Sequence, residues 1–323
     1  MYNVLVTAVG AIIGYGLVHS ARKANEPLRI VGMDIYEDAV GQHWCDEFVR
    51  AVPAASDNYP EFIETLVREH AIDLVLPGVE YDALRMSQER ERFAVLPARF
   101  VLNSKTLVES DSDKWNTHCR QAVAGIPTID TKASGEFSEL AKALGIPFLV
   151  KPRRSSASKG HHRISTALEY EQAQARLASE FVAQRIVGTD DAEYTVGVFG
   201  YGDGTSSHFL ALQRRLSREG STVKARTVFD AALERTVAEL VTLFKPEGPT
   251  NLQFRLHDAN YLLLEINPRF SSSGSLRTAF GINDVELCIE YYLKGRRPVE
   301  RQVRPGSAVR YIEDLVVYDR ADS

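Results

Sequence analysis

The stretch that most constrains this chain begins at Thr250 and reads TNLQFRLHDANYLLLEINPRFSSS. Apolar and polar residues alternate on both sides of a short polar break, which is the pattern of two antiparallel strands joined by a tight turn. A three-residue turn of Asp258, Ala259 and Asn260 would close this hairpin, because Asn260 tolerates the left-handed conformation that the last position needs. The sequence therefore predicts a β-hairpin as the central element of its last third.

This hairpin is predicted to carry one polar face and one apolar face. Gln253 would lie directly opposite Glu265, with Cβ atoms roughly 5 Å apart. Because side chains alternate between the two faces of a strand, Asn267 and Arg269 share the face of Glu265. The strand should end at Pro268, which has no N–H to donate to a sheet. The apolar face is expected to carry Leu262, Leu264 and Ile266.

The polar face has the composition of a magnesium site. Mg²⁺ prefers hard oxygen ligands, usually one or two carboxylates completed by phosphate oxygens and water. Two metal ions about 4 Å apart can hold a phosphoryl group during transfer. We therefore predict that Glu265 bridges two ions, that Gln253 and Asn267 add amide oxygens, and that Arg269 lies where negative charge develops. The alternative is an edge hairpin whose polar face is only solvated.

The first hundred residues have a different pattern. A continuous apolar run, NVLVTAV, is typical of a strand buried on both faces, and similar runs alternate with helical stretches up to residue 103. This alternation predicts an open parallel sheet made of βαβ units. Gly10, Gly14 and Gly16, with Asp34 further on, imitate a dinucleotide-binding fingerprint. Their G-x-x-x-G-x-G spacing differs from that fingerprint, so nicotinamide binding is disfavoured.

Composition excludes several classes of function. The net charge is −5, which gives no electrostatic attraction for nucleic acid. Cys45, Cys119 and Cys288 lie far apart, so neither a disulfide framework nor a zinc site is expected. No apolar run reaches the roughly 18 residues of a membrane helix, and the amino terminus lacks the basic region of a signal peptide. We expect no nucleic-acid or membrane partner and a cytoplasmic location.

The run LLLEINPRFS at residues 262–271 resembles the metal-binding signature of the ATP-grasp superfamily. The resemblance is strongest to its carbamoyl-phosphate-synthase-like branch, in which a glutamine precedes Glu-x-Asn-Pro-Arg. It extends along the chain and implies a Rossmann-like pre-ATP-grasp domain over residues 1–103, which commonly helps to hold substrate. It also implies a two-part ATP-grasp domain, with an N-terminal subdomain over 104–187 and a C-terminal subdomain over 188–323. The chain shows no internal repeat, so it resembles a single ATP-grasp unit.

The same resemblance implies which residues contact ATP. In SDSDKW, Lys114 matches a lysine that contacts phosphate, while Ser110, Asp111 and Ser112 are candidates to cap the following helix. Lys151 is expected to touch the α and β phosphates, and the loop after it should close over them. The loop hydroxyls expected to donate to phosphate are Ser155, Ser156 and Ser158.

Further along the chain, EFVAQRIVG resembles the adenine-binding hinge, which implies contacts at Gln184, Arg185 and Val187. Glu193 matches a ribose-binding acid. Two arginines are candidates for gripping an anionic substrate, Arg215 in a cationic strand and Arg277 just beyond the metal hairpin. His161 and His162 are expected to begin a strand rather than to bind a ligand.

The function implied by the resemblance is an ATP-dependent ligase that joins a carboxylate to an amine, or to a thiol, through an acyl phosphate. Arg269 and Lys151 would be the catalytic residues, and the cofactors would be ATP and two Mg²⁺ ions, with Mn²⁺ as a substitute. The expected partners are ATP, a small carboxylate and an amine, with a homodimer as the assembly to test. Two alternatives stay open: a carbamate or bicarbonate kinase, as in half of a split carbamoyl-phosphate synthase, and a non-catalytic ATP-binding regulator.

Overall fold

The computed structural model describes residues 1–111, 113–154, 160–177, 180–207, 209–217 and 220–318. Three β-sheets organise these residues, and each sheet draws its strands from one continuous part of the chain. None of the helices in these ranges is long and apolar enough to span a lipid bilayer.

The amino-terminal sheet is entirely parallel, as the alternating pattern predicts. Its strand order is β3-β2-β1-β4-β5, so the direction of winding reverses between β1 and β4. The strands are β1 (Tyr2–Val6), β2 (Leu28–Asp34), β3 (Glu47–Arg50), β4 (Leu74–Leu76) and β5 (Arg99–Phe100). The helices beside them are α1 (Ile12–Arg22), α2 (Tyr59–Glu69), α3 (Glu80–Gln88) and α4 (Arg90–Phe93). This arrangement confirms the Rossmann-like first unit.

The turn after β1 explains its glycines without a nucleotide. A Cβ atom at Gly14 would lie 1.9 Å from the carbonyl oxygen of Ala8, so only glycine fits there. The Asp34 carboxylate accepts hydrogen bonds from the N–H groups of Gly10 and Tyr36. Both oxygens of the Asp34 carboxylate therefore stabilise the loop.

A smaller antiparallel sheet follows, with strand order β6-β9-β7-β8. Its strands are β6 (Thr131–Lys132), β7 (Phe148–Pro152), β8 (His162–Ile164) and β9 (Phe181–Arg185). Its helices are α5 (Lys114–Val123), α6 (Phe137–Leu144) and α7 (Ala167–Leu177). The last two helices bury Leu140 and Tyr170 against Phe148, in a core separate from that of the first sheet.

The cap of α5 differs from the prediction. The Asp113 carboxylate accepts hydrogen bonds from the N–H groups of Trp115 and Asn116, which makes Asp113 the N-cap. The predicted caps precede it: Ser110 and Asp111 belong to a separate short helical turn, and Ser112 lies outside the described residues. The motif contains two aspartates, and only the one immediately before α5 is placed to reach its first free N–H groups.

The third sheet has six antiparallel strands in the order β14-β13-β10-β11-β12-β15. They are β10 (Glu193–Tyr201), β11 (Leu210–Leu216), β12 (Thr222–Val228), β13 (Glu247–His257), β14 (Asn260–Asn267) and β15 (Ser307–Val309). The helices of this part are α8 (Ala231–Phe244), α9 (Gly274–Ala279) and α10 (Asp284–Cys288). The amphipathic α8 covers one face of the sheet and buries Leu233, Val237, Leu240, Val241 and Phe244.

The hairpin β13–β14 has the predicted register but not the predicted turn. Gln253 pairs with Glu265, and β14 ends before Pro268. The turn has only two residues, Asp258 and Ala259, both with positive φ (47° and 61°), as in a type I′ hairpin. The observed turn is one residue shorter than the predicted one. A β-bulge opposite Gln253 and Phe254 makes up the difference, because it adds one residue, Leu264, to β14.

The bulge also corrects the predicted apolar face. Ile266 packs in the core under α8 together with Leu263. Leu264 instead lies on the same side as its neighbour Glu265, because two consecutive residues at a bulge can share a face. Leu262 likewise packs with Ile129, away from the α8 core. The prediction that Leu262, Leu264 and Ile266 share one face is therefore wrong for the first two.

The first and third sheets share one apolar core. Val4 and Val18 of the first unit belong to the same buried cluster as Phe199 of β10 and Val285 and Leu287 of α10. The side chain of Asn283 also donates a hydrogen bond to the carbonyl of Ser20 in α1. The amino-terminal unit is therefore packed firmly onto the large antiparallel sheet.

Candidate functional site

A cleft of about 350 Å³ lies where the three sheets meet. The amino-terminal unit contributes the residues that follow β1 and β4, the small sheet contributes β7 and β9, and the large sheet contributes β10, β11, β13 and β14. The charged side chains that line it are Glu80, Lys151, Arg185, Glu193, Arg214, Arg255, Glu265 and Arg269. Cations outnumber carboxylates in this described lining, which favours a polyanionic ligand.

Lys151 is the second-to-last residue of β7, where it lines the cleft, and it is 4% exposed. Its Nζ donates a hydrogen bond of 2.6 Å to Oε1 of Gln184, whose Nε2 donates to Oγ1 of Thr131 at 2.9 Å. Burial, reinforced by the nearby charge of Lys114, lowers the pKa of Lys151 to about 7. A buried ammonium held in this way gains most from a ligand that brings negative charge.

The polar face of the hairpin is an interlocked set. Nδ2 of Asn267 donates to Oε1 of Glu265 at 3.0 Å, and Nη2 of Arg269 donates to Oδ1 of Asn267 at 3.0 Å. Burial by itself would raise the pKa of Glu265. The charge of Lys114, the Asn267 hydrogen bond and the charges of Lys151 and Arg269 outweigh it, so this pKa lies below its usual value. Glu265 is therefore an ionised carboxylate surrounded by cations.

Gln253 connects this set to a second cluster. Its Oε1 accepts a hydrogen bond of 2.8 Å from Nη2 of Arg214, and Arg214 also donates to Oε1 of Glu193 at 2.8 Å. The other carboxylate oxygen of Glu193 accepts from Arg255 at 2.8 Å. The buried Glu193 is thereby held at the cleft surface between two guanidinium groups.

The opposite end of the cleft is apolar. Ile129, Val187 and Leu262 form a small buried cluster, and Leu149 and Leu264 line the cleft beside it. Within the described part of the chain, the N–H of Val187 donates to no acceptor. An apolar slot with a free backbone donor at its edge suits a flat heteroaromatic base.

Other predicted residues are placed as follows. Gln184, Arg185 and Val187 line the cleft together. Lys114 lies behind the cleft floor in a small cavity that it shares with Glu265, and burial lowers its pKa. Ser155, Ser156 and Ser158 lie outside the described residues.

Two predicted substrate residues lie elsewhere. Arg215 is exposed and does not line the cleft, because alternation along β11 turns its neighbour Arg214 inward instead. Arg277 is 2% exposed and pairs with Asp284 at 3.0 Å, with its guanidinium packed against Gly197. Arg277 is therefore held in the interior away from the cleft, and neither arginine is placed to grip a substrate there.

The sequence reasoning missed several residues of the cleft, among them Glu80, Arg214, Arg255, Asn251 and His161. Asn251 lies opposite Asn267 on the polar face of the hairpin, where its Oδ1 accepts from Oγ1 of Thr195. The sequence could have indicated Asn251, because residues two apart on a strand share a face and Asn251 lies two residues before Gln253. His161 also lines the cleft, and burial together with the Lys151 charge lowers its pKa to about 4.

The donor set fits magnesium rather than a softer ion. The described residues contain no group of three or more His, Cys, Asp and Glu side chains that could hold a metal ion. Glu265 offers one ionised carboxylate, flanked by the amide side chains of Gln253, Asn267 and Asn251. One carboxylate, neutral oxygens and room for phosphate match the way Mg²⁺ is bound with nucleotides.

Comparison with known proteins agrees with this geometry. Residues 186–315 match the family described as "ATP-grasp in the biosynthetic pathway with Ter operon". A formate-dependent phosphoribosylglycinamide formyltransferase from Chlorobium phaeobacteroides is 26% identical over 157 residues, which cover 45% of this chain and 36% of the relative. A carbamoyl phosphate synthase large chain from Methanothrix thermoacetophila is 20% identical over 247 residues, covering 67% and 22% respectively. The chain thus spans less than half the length of the first curated relatives it matches.

Solved structures extend the similarity to nearly the whole fold. The N5-carboxyaminoimidazole synthetase from Staphylococcus aureus, complexed with ADP, superposes with a TM-score of 0.74 and 17% identity. The match covers 94% of this chain and 80% of that one. The metal-type hairpin lies inside the segment that matches an ATP-grasp family, and the fold of nearly the whole chain is similar to that of the synthetase.

Proposed function

We propose that the protein is an ATP-dependent ligase that joins a carboxylate to an amine through an acyl phosphate and releases ADP and phosphate. The observation that carries this proposal is the cleft itself. It combines an apolar slot at one end with Lys151, Glu265 and Arg269 at the other. The relatives and similar structures, which include ligases and synthetases, support the same class of chemistry.

The adenine of ATP occupies the apolar slot in this proposal. Leu149 and Leu264 contact the faces of the base, and the free N–H of Val187 donates to a ring nitrogen. The ribose lies toward Glu193. A carboxylate has about four lone-pair sites, so Glu193 can accept from ribose hydroxyls while Arg214 and Arg255 remain bonded to it.

The triphosphate lies along the cationic end. Lys151 approaches the phosphates directly, and Lys114 adds positive charge from behind Glu265. Mg²⁺ held by Glu265, with amide oxygens from Gln253 and Asn267, would supply charge neutralisation at the β and γ phosphates. Arg269 extends this cationic region toward the amino-terminal unit, where its Nη2 lies 3.7 Å from Glu80.

The chemistry requires this density of positive charge. A carboxylate that attacks the γ-phosphate must approach a group that is already negative. Two unit charges at about 4 Å repel by roughly 4 kcal/mol at an effective dielectric of 20. Lys151 and Arg269 offset this repulsion from fixed positions, so no reorganisation is needed as charge develops. The γ-phosphate moves to the carboxylate oxygen and ADP leaves, after which the amine displaces phosphate from the acyl carbon.

The carbamate kinase alternative shares the first of these steps, and it is favoured by the match to a carbamoyl phosphate synthase large chain. The two functions differ in what is released. A ligase needs both substrates for sustained ADP formation and accumulates no acyl phosphate, whereas a kinase releases the phosphorylated acid.

Hydroxylamine tests the proposal, because it attacks acyl phosphates without needing a dedicated amine site. The purified protein is incubated with Mg²⁺, ATP and each member of a carboxylate panel, with bicarbonate included, and both ADP and hydroxamate are measured. We expect one acid class to give ADP and hydroxamate in equal amounts. ADP release with no hydroxamate from any acid would overturn the acyl phosphate, and no ADP release at all would favour a regulatory ATP-binding protein.

A further inference from the structure

The outer edge of the large sheet carries no further strand among the described residues. β15 is the last strand in the strand order, where it pairs with β12. Arg310 continues that pairing by donating its N–H to the carbonyl of Val223. Backbone groups alternate in direction along an antiparallel strand. Ser307 and Val309 therefore direct their N–H and C=O groups outward, and such an edge can pair with another strand.

The segment that continues from β15 is apolar and exposed. Seven of the ten residues from Val309 to Tyr318 are large apolar residues, and each of them is at least 47% exposed. Ile312 is the most exposed of them, at 95%. Contiguous apolar surface of this kind is typical of an interaction site. Glu313 and Asp314 interrupt the segment, which disfavours a lipid surface and favours a protein partner.

The start of this segment is held in an extended arrangement. The guanidinium of Arg310 donates hydrogen bonds to the carbonyls of Thr222 and Ser272. The hydroxyl of Tyr311 donates to Oε2 of Glu313 at 3.1 Å, so these two side chains lie on one side of the chain. Residues two apart share a side in an extended strand. Because this arrangement exists in the single copy, pairing with another strand would cost less conformational entropy.

A cationic stripe of Arg215, Lys224 and Arg226 lies beside the free edge. All three residues are exposed, and none forms an ion pair with another described residue. Arg215 lies directly opposite Lys224, which is unfavourable for two like charges. Lys224 in turn lies opposite Val309, and Arg226 lies opposite Ser307, so the stripe shares a face with these β15 residues. A strand added at the edge would therefore be stabilised by an acidic residue on that face.

The segment matches itself when two copies pair about a two-fold axis at Ile312. Ile312 then lies opposite the same residue of the second copy, and Val309 lies opposite Leu315, so apolar residues meet apolar residues. Arg310 lies opposite Asp314, so a basic residue meets an acidic one. The pairing is also consistent with the backbone, because Val309 and Leu315 are both at outward-facing positions of the alternation.

Neighbouring registers lose this match. An axis at Glu313 would place two identical carboxylates opposite each other. An axis at Tyr311 would place Glu313 against Val309. An axis between two residues would oppose outward-facing and inward-facing backbone groups, which cannot pair. The Ile312 register, in contrast, brings Glu313 of the second copy onto the face of the cationic stripe, because residues directly opposite share a face.

The exposed area is what a stable dimer needs. At roughly 100 Å² of apolar surface for each side chain, the seven residues carry about 700 Å² per copy, close to the roughly 800 Å² per partner of a stable interface. An interface that uses the same patch on both copies is closed, so the pairing stops at two. A different protein would have to supply both the complementary register and this area.

We infer that residues 307–318 pair with the same residues of a second copy as antiparallel strands centred on Ile312. The large sheets of the two copies thereby join into one continuous sheet. None of these residues lines the cleft, so this inference goes beyond the proposed function and does not depend on it.

The oligomeric state tests the inference first. The mass of the protein is measured by light scattering after size-exclusion chromatography, over a range of micromolar concentrations, and we expect a dimer. Ile312→Asp places two carboxylates on the axis and should weaken dimerisation by at least about 100-fold. It should still fold, because Ile312 is exposed in the single copy. The matched control is Val95→Asp, which adds the same charge at a position that is 81% exposed outside the segment, and it should remain a dimer.

Cross-linking tests the register. Ile312 would lie in a non-hydrogen-bonded pair, where opposing Cα atoms are about 4.5 Å apart, a separation that a disulfide can span. Ile312→Cys should therefore form a covalent dimer under mild oxidation. Val316→Cys is the matched control and should not, because Val316 would lie opposite Ala308 of the second copy. The wild-type protein, with its three cysteines, gives the background.

Three results would overturn the inference. A wild-type monomer throughout the concentration range would show that the segment serves a different protein. A dimer that Ile312→Asp weakens no more than Val95→Asp does would place the interface elsewhere. Equal cross-linking of Ile312→Cys and Val316→Cys would refute the register and with it the paired strands. Each result can be read whether or not the protein forms an acyl phosphate.

Discussion

The pKa of Lys151 should make nucleotide binding dependent on pH. In the free protein, burial lowers this pKa to about 7, so the side chain is mostly cationic at pH 6 and mostly neutral at pH 8. A diphosphate beside Nζ favours the cationic form and raises the pKa in the complex. Binding therefore takes up a proton, and affinity should fall as pH rises through 7.

The size of the effect follows from the fraction that is already protonated. With a pKa of about 7, roughly nine-tenths of Lys151 is cationic at pH 6 and roughly one-tenth at pH 8. ADP should therefore bind about tenfold more weakly at pH 8, a difference of about 1.4 kcal/mol. Proton uptake at pH 8 should approach about 0.9 per ADP bound at this site.

Isothermal titration calorimetry in two buffers of different ionisation enthalpy measures both quantities. Lys151→Arg is the matched control, because arginine stays protonated throughout this range. The difference between the two proteins removes the contribution of the ADP phosphates themselves. Equal proton uptake by wild type and Lys151→Arg would refute the reasoning, since it would show that Lys151 is already cationic or does not meet the phosphates.

Three further predictions concern the hairpin and the core. Glu265→Gln should lower the rate of ADP formation by at least about 100-fold in the coupled assay, because it removes the ionised group of the metal face; turnover near the wild-type rate would contradict that assignment. Gly197→Ala should lower the free energy of unfolding in urea by about 1–3 kcal/mol, since its Cβ would lie 1.7 Å from a buried guanidinium nitrogen. Gly16→Ala should instead raise the free energy of unfolding by about 1 kcal/mol, because Gly16 lies inside a helix and an added Cβ would have its nearest neighbour at 3.9 Å. A change of the same sign in the free energy of unfolding of both variants would argue against the packing described. Changing Asp258 to Asn and Ala259 to Gly should raise stability by about 1 kcal/mol, because both positions have positive φ; an unchanged urea midpoint would show that the turn is not strained.

The sequence predicted the parts of the fold that depend on hydrophobic period and spacing. The parallel sheet follows from continuous apolar runs, and the pairing of Gln253 with Glu265 follows from alternation on two strands. The predicted turn was wrong, yet the register was right, because the bulge inserts one residue where the turn omits one. Bulges leave little trace in a sequence, since the inserted Leu264 looks like any other apolar strand residue.

Two predicted substrate residues do not line the cleft, for different reasons. Arg215 is one position away from the residue that does, and Arg277 is buried in the interior. Arg214 and Arg215 are adjacent, and a strand of period two sends only one of them into the cleft. Which one faces inward depends on the register with β10, where Glu193 pairs with Arg214. Arg277 was expected to meet substrate because it follows the hairpin closely. Its carboxylate partner, Asp284, comes only after the chain has turned, so local spacing could not reveal that the pair is internal.

The apolar cluster shared by the first and third sheets has a mechanical consequence. Val18 and Val285 are packed in one core, so separating those two sheets would expose a large hydrophobic surface. The small sheet has its own core around Phe148, and it meets the large sheet through the modest cluster at Ile129. A movement that opens the cleft to nucleotide would therefore rotate the small sheet about its contact at Ile129, while the other two sheets stay together. Lys151 and Gln184 would move with the small sheet. Glu80, Glu265 and Arg269 would stay in place with the other two sheets.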